Sequence, residues 1–166
     1  MKVTEAIARL ICSFDVYYNV KRENVEPPFV AEAEFHSHDE QYFLVRSARI
    51  SESESREYVF FAGVENLDEE TLLQMDEAAW NRGLACVVPH AEHRNSDITL
   101  FVIAEKMTEE AFSRISKLRH YKSYRFSLHG WSQYRAVALE LSTGRVAYNR
   151  QGHDLEKLVR NICNKL

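Results

Sequence analysis

The chain has little of what breaks a protein into pieces or staples it together. Among 166 residues there are 5 Gly and 3 Pro, too few for a long flexible linker, so one domain over residues 1–166 is the expectation. No apolar run approaches the roughly 18 residues that span a bilayer. The opening "MKVTEAIARLICSF" places Glu5 and Arg9 inside its apolar stretch. That departs from a signal peptide, predicts an amphipathic helix, and makes the cytoplasm the default location with no membrane partner. Cys12, Cys86 and Cys163 are odd in number and far apart, with no CxxC. They specify neither a zinc knuckle nor a disulfide framework and read as structural thiols, with Cys86 buried in "ACVVP". Also missing are a Walker loop, GxGxxG, the GxSxG elbow and both HExxH and HxxEH. No Lys has an acid two residues before it, which removes the usual nuclease triad; only Asp39 and Gln41 offer a variant of it.

What is present is ordinary in amount and uneven in placement. Hydrophobic content is 45%, charged content 28% and net charge −4. From Glu23 to Trp80 there are 15 acids against 3 bases, and from Phe112 to Arg150 8 bases against Glu140 alone. Such segregation steers an anionic partner, or is cancelled when acidic and basic strands lie side by side. Folding decides between these.

Periodicity sets the expected order of elements. Val3, Ala6, Ile7, Leu10, Ile11, Phe14 and Tyr18 recur at helical spacing, predicting a helix to about Tyr18 that ends before Pro27 and Pro28. Phe29, Ala31, Ala33 and Phe35 alternate with Glu32, Glu34, His36 and His38, which predicts a half-buried strand. "QYFLVRSARI" is the expected hairpin partner and "EYVFFAGV" a third strand. A helix from Leu67 to Arg82 follows, capped at Asn66 and stopped by Gly83. Then come an extended "LACVV", a strand "DITLFVIA", and a short helix capped by Thr108 that buries Ala111, Phe112, Ile115 and Leu118. Strands "YRFSL", "QYRAVALEL" and "RVAYN" and a last helix from about Asp154 close the chain. The expected fold is α+β or α/β, a mixed sheet of about six strands flanked by helices. Its order, α-βββ-α-β-α-ββ(β)-α, opens like the restriction-endonuclease-like fold and also resembles small acidic dimeric secretion chaperones. Element order alone carries no function.

Three groups of residues offer chemistry. His36 and His38 sit two apart on a strand, and His90 and His93 three apart in "VVPHAEHRNSD". Together they would supply nitrogens for zinc, with Asp39 or Asp97 adding oxygen, as in a metal-dependent hydrolase. Against this stands a plain reading: solvated strand residues and a histidine bonded to a loop carbonyl. Ser37, Ser96 and Ser127 lie near histidines, yet no triad is specified. In "KLRHYKSYRF", Lys117, Arg119, Lys122 and Arg125 alternate with Tyr121, Tyr124 and Phe126, a pattern suited to phosphates and stacked bases. The same letters also fit a helix end followed by a strand with Tyr124, Phe126 and Leu128 in the core. Arg150 and Gly152 in "NRQGHD" form a weaker anion candidate ahead of the last helix.

The segments "VVPHAEHRNSDITLFVIAE" and "HGWSQYRAVALELSTGRVAYNRQG" resemble a family of small bacterial proteins of unknown activity. The matching positions are Pro89, His90, His93 and Ser96, then Gly130, Trp131 and Arg135, then Gly144, Asn149 and Gly152. The resemblance supplies no catalytic role. It does point to a shared pocket, with Trp131 stacking on a flat ligand, Arg135 gripping a carboxylate or phosphate, and His90, His93 and Ser96 hydrogen-bonding it. Alternatively Trp131 anchors a strand and Arg135 pairs with an acid of the meander. A binding or regulatory module for a small anion or a protein, with no cofactor, is the leading expectation. A zinc hydrolase, a nucleic-acid binder and a homodimeric interaction module remain beside it.

Overall fold

The computed structural model describes residues 1–36, 54–89 and 93–164. Its elements are α1 (Val3–Cys12), β1 (Asn19–Lys21), β2 (Ala31–His36), β3 (Glu54–Leu67), α2 (Glu69–Cys86), β4 (His93–Met107) and α3 (Glu109–Ile115). β5 (Tyr121–Ser123), β6 (Trp131–Glu140), β7 (Val146–Tyr148), a 3-10 helix (Arg150–Leu155) and α4 (Glu156–Asn164) complete the order. The seven described strands form one mixed sheet in the order β1-β2-β3-β4-β6-β5, with β7 also against β6. β1, β2 and β3 are an antiparallel meander, whereas β3, β4 and β6 run parallel. The α+β architecture and the order of its parts agree with the reading of the sequence.

β3 and β4 are long because "YVFFA" and "ITLFVIA" are apolar on both sides, as strands covered on two faces must be. On one face Tyr58, Phe60, Ile98, Leu100, Tyr134 and Ala136 meet Leu72, Met75 and Ala79 of α2 and Ala111 and Ile115 of α3. On the other, Val59, Phe61, Phe101, Ile103, Val137 and Leu139 meet α1 and α4. The terminal helices thus cover one face and the two crossover helices the other.

Several local expectations are corrected. α1 stops at Cys12, and Phe14 and Tyr18 reach the core through turns, Tyr18 N donating to Phe14 O at 2.9 Å. β1 was not foreseen; it supplies the third strand of the meander, bordering β2 opposite β3. The expected hairpin partner, residues 41–50, lies outside the described residues. Phe29 precedes β2 and packs on Phe60, on the face opposite Ala31 and Ala33. α2 is capped by Asp68, whose carboxylate accepts from Thr71 N at 2.7 Å, not by Asn66. It runs through Gly83 to Cys86, so "LAC" is helical and Cys86 is exposed, not buried. Partial burial and the Glu32 and Glu34 carboxylates push the Cys86 thiol up, the opposite of an activated nucleophile.

"YRFSL" is a turn, not a strand. Arg125, Phe126 and Ser127 hold φ of 47°, 51° and 69°, and Phe126 and Leu128 are 97% and 76% exposed. No described helix is long and apolar enough to cross a membrane.

Candidate functional site

Trp131 and Arg135 lie on β6, level with Asn95 and Thr99 of β4, and face the side of the sheet covered further along by α1 and α4. Arg135 is largely buried and already partnered. Its guanidinium pairs with Glu57, and its Nε donates to Thr99 Oγ1 at 3.2 Å. Thr99 Oγ1 and the Tyr18 hydroxyl also donate to Glu57, at 3.2 and 2.5 Å. Burial first, then the Glu57 carboxylate, raise the Tyr18 pKa, which keeps this phenol a donor. The next rungs hold Gln133 Nε2 donating to Asp97 at 2.8 Å and Ser55 Oγ donating to Asn95 at 2.9 Å. Here Arg135 neutralises an acid of the meander.

Ser96 is fully buried on β4 with Ile98 and Leu100, on the opposite face of the sheet from Trp131 and Arg135. His93 opens β4 beside Glu54, and His36 closes β2 beside Arg56. β3 lies between these two histidine positions, so their backbones are at least two strand spacings, roughly 10 Å, apart. His38 and His90 lie outside the described residues. Among those described, no group of three or more His, Cys, Asp or Glu is arranged to hold a metal.

The basic segment leads to a different place. β5 and β7 share the outer edge of β6, β5 pairing with Trp131–Gln133 and β7 with Val137–Leu139. Neither reaches the stretch from Tyr134 to Ala136, and Asn149 fills that break. Its Oδ1 accepts from Ala136 N at 2.9 Å, and its Nδ2 donates to Tyr134 O and Leu118 O, both at 3.0 Å. Gly152 N also donates to Asn149 Oδ1, and a Cβ at Gly152 would come within 2.5 Å of Ala136 O. Two positions of the resembled motif are therefore explained by closing a sheet edge.

At this break the surface opens into a cleft of about 370 Å³. Lys117, Arg119 and His120 from the α3–β5 connection line it, with Tyr121 of β5, Gln133 and Tyr134 of β6 and Arg150 and Gln151 of the 3-10 helix. No carboxylate lines it among the described residues. Arg9, Arg22, Arg82, Arg114, Arg135, Arg145 and Arg160 each pair with an acid. Arg119, Arg125 and Arg150, with Lys117 and Lys122, make no ion pair among the described residues and are exposed. Guanidinium groups with no counter-charge are ready to accept a carboxylate or phosphate.

His120 ties this cleft to the interior. Its ring stacks on Trp80 at 5.0 Å, meets Tyr134 edge-on at 4.9 Å, and places Nε2 2.9 Å from Asp76 Oδ2. Burial, then the Asp76 carboxylate, hold the Tyr134 phenol protonated, its pKa well above the ordinary value. Asp76 Oδ1 and the Tyr134 hydroxyl have no hydrogen-bond partner among the described residues. Sequence periodicity did not single out Asp76 or Tyr134, which read there as helix and strand positions. Only the packing of α2 on the sheet brings them to His120.

No curated protein and no solved structure matches this chain. A family model matches residues 2–161, and the chain belongs to that family, described as a domain of unknown function (DUF8052).

Proposed function

We propose that the protein is a binding module for anionic ligands, held in the cleft at the break between β5 and β7. The observation that carries this reading is that Arg119 and Arg150 both line a cavity with no carboxylate among its described lining residues. A cavity near 370 Å³ lies within the range of small-molecule sites. Tyr121 and Gln133 add a ring and an amide to orient a ligand that the two guanidinium groups attract. Asn149 and Gly152 hold the wall carrying Arg150 against β6, so the fold fixes the backbone from which the second cation extends.

Isothermal titration calorimetry with inorganic tripolyphosphate at low salt tests this reading. Saturable binding is expected, weakened about tenfold or more in an Arg119→Ala/Arg150→Ala variant, since charge-assisted bonds contribute about 1.5–3 kcal/mol each. Wild-type protein that takes up no tripolyphosphate at millimolar concentration, or a double variant that binds equally well, contradicts it.

A further inference from the structure

We propose that the anion recognised is the backbone of a single-stranded nucleic acid, which runs from the cleft along β5 to the tip of the β5–β6 hairpin. This rests on the anion-binding reading of the cleft and extends it to a ligand class.

The hairpin carries cations and exposed rings that meet no acid among the described residues. Residues 116–139 contain no Asp or Glu. Arg119, Lys122 and Arg125 are exposed without ion pairs among the described residues, as is Arg150, which also lines the cleft. Interleaved with them are Tyr121, 58% exposed, and Phe126, 97% exposed. β5 ends the sheet path, so its outer side is an edge among the described residues. Tyr121 and Lys122 alternate across that edge, being level with Gln133 and Ser132. A chain laid along it therefore meets a ring on one side and a cation on the other.

The tip is built to hold its aromatic outward. Leu128 N donates to Arg125 O at 2.9 Å, and His129 N to Tyr124 O at 3.1 Å, closing the turn. Inside it three successive non-glycine residues sit in the left-handed region, and Phe126 gains almost no burial there. Backbone strain of this kind clusters at functional surfaces. The two exposed rings are five positions apart in the chain, a reach of at most about 17 Å, which a few nucleotides bridge. Cations tracking phosphates while rings stack on bases is how single strands are held without sequence preference. A bilayer would meet only the convex tip and leave Arg119 and Arg150 in their cleft without a partner, so nucleic acid fits more of the surface.

The test is fluorescence anisotropy of labelled 12-nucleotide oligo-dT and oligo-U with the full chain at 50 mM salt, beside the tripolyphosphate titration. Binding is expected, with log affinity falling against log salt by about 0.7 per phosphate contact. Arg119→Ala/Arg150→Ala weakens it at least tenfold and flattens that slope. Phe126→Gly, whose glycine adopts φ 51° without strain, weakens it by about fivefold or more, the loss of one stacked base, with the slope unchanged. Oligonucleotides that bind no tighter than tripolyphosphate, with no effect of Phe126→Gly, overturn the proposal and leave the cleft reading standing. Failure of both ligands overturns both. Phe126-dependent cosedimentation with phosphatidylserine vesicles in the absence of oligonucleotide binding assigns the tip to a membrane surface and overturns it as well.

Discussion

Gly83 is a residue at which helix propensity and packing disagree. It sits inside α2, where alanine would be favoured by about 1 kcal/mol on backbone grounds. A Cβ there, however, would lie 2.6–2.7 Å from three carbons of the Ile98 side chain on β4. Glycine reads locally as a helix stop, and only the neighbouring strand reveals it as a point of close approach. Gly83→Ala is expected to destabilise the protein by about 1–3 kcal/mol in urea denaturation; an increase in stability contradicts the contact. Glu140 shows a second conflict at this scale. Burial alone would raise its pKa, but donation from Thr143, from Met107 N at 2.6 Å and from Arg145 at 3.2 Å holds it below the ordinary value. Its contribution is therefore present above the unfolded value of about 4.3 and is lost as pH falls through the lower folded value. The stability gap between wild type and Glu140→Gln should be wide at neutral pH and close in acid below about pH 4. A gap that widens toward acid in a pH series of urea melts counts against this account.

Among the elements, those with strong periodicity were legible and those set by neighbours were not. "YVFFA" and "ITLFVIA" declare β3 and β4 by apolar run and β-branching, and Thr108 announces α3, its hydroxyl accepting from Ala111 N at 3.1 Å. "NVK" has only three residues and no pattern of its own; it is a strand because β2 offers it Glu32, Ala33 and Glu34 as partners. "YRFSL" alternates like a strand but folds as a left-handed turn, since its flanks already pair as β5 and β6. That turn costs stability, because a non-glycine residue in the left-handed region is disfavoured by about 1–2 kcal/mol. Phe126→Gly should thus raise the melting temperature slightly, a net gain of up to about 1 kcal/mol after the added chain entropy. A lower melting temperature would mean that Phe126 packs against its own chain.

Across the whole molecule the charge asymmetry resolves two ways at once. Part of it cancels internally, as Glu57 meets Arg135 and Glu69 meets Arg114. The remainder stays at the far edge of the sheet, where Arg119, Lys122, Arg125 and Arg150 find no acid among the described residues. The basic run from Lys117 to Arg125 could be read from the chain. Its partner Arg150, 25 residues beyond Arg125, could be noted but not placed, because its position depends on β7 and Asn149 reaching back to β6. His120 was equally visible as a letter and invisible as a contact, being fixed by Asp76, 44 residues earlier. Trp131 and Arg135 were singled out together and do share a face, but Arg135 is taken up by Glu57 in a pairing that only register reveals. The most direct test of the central claim is an NMR titration of isotope-labelled protein with tripolyphosphate, following backbone amides. The account predicts saturable shifts concentrated at residues 117–121, 133–134 and 150–152, the two walls and floor of the cleft. Shifts centred instead on Trp131, Arg135 and their rungs on β4, or none at saturating ligand, would contradict it.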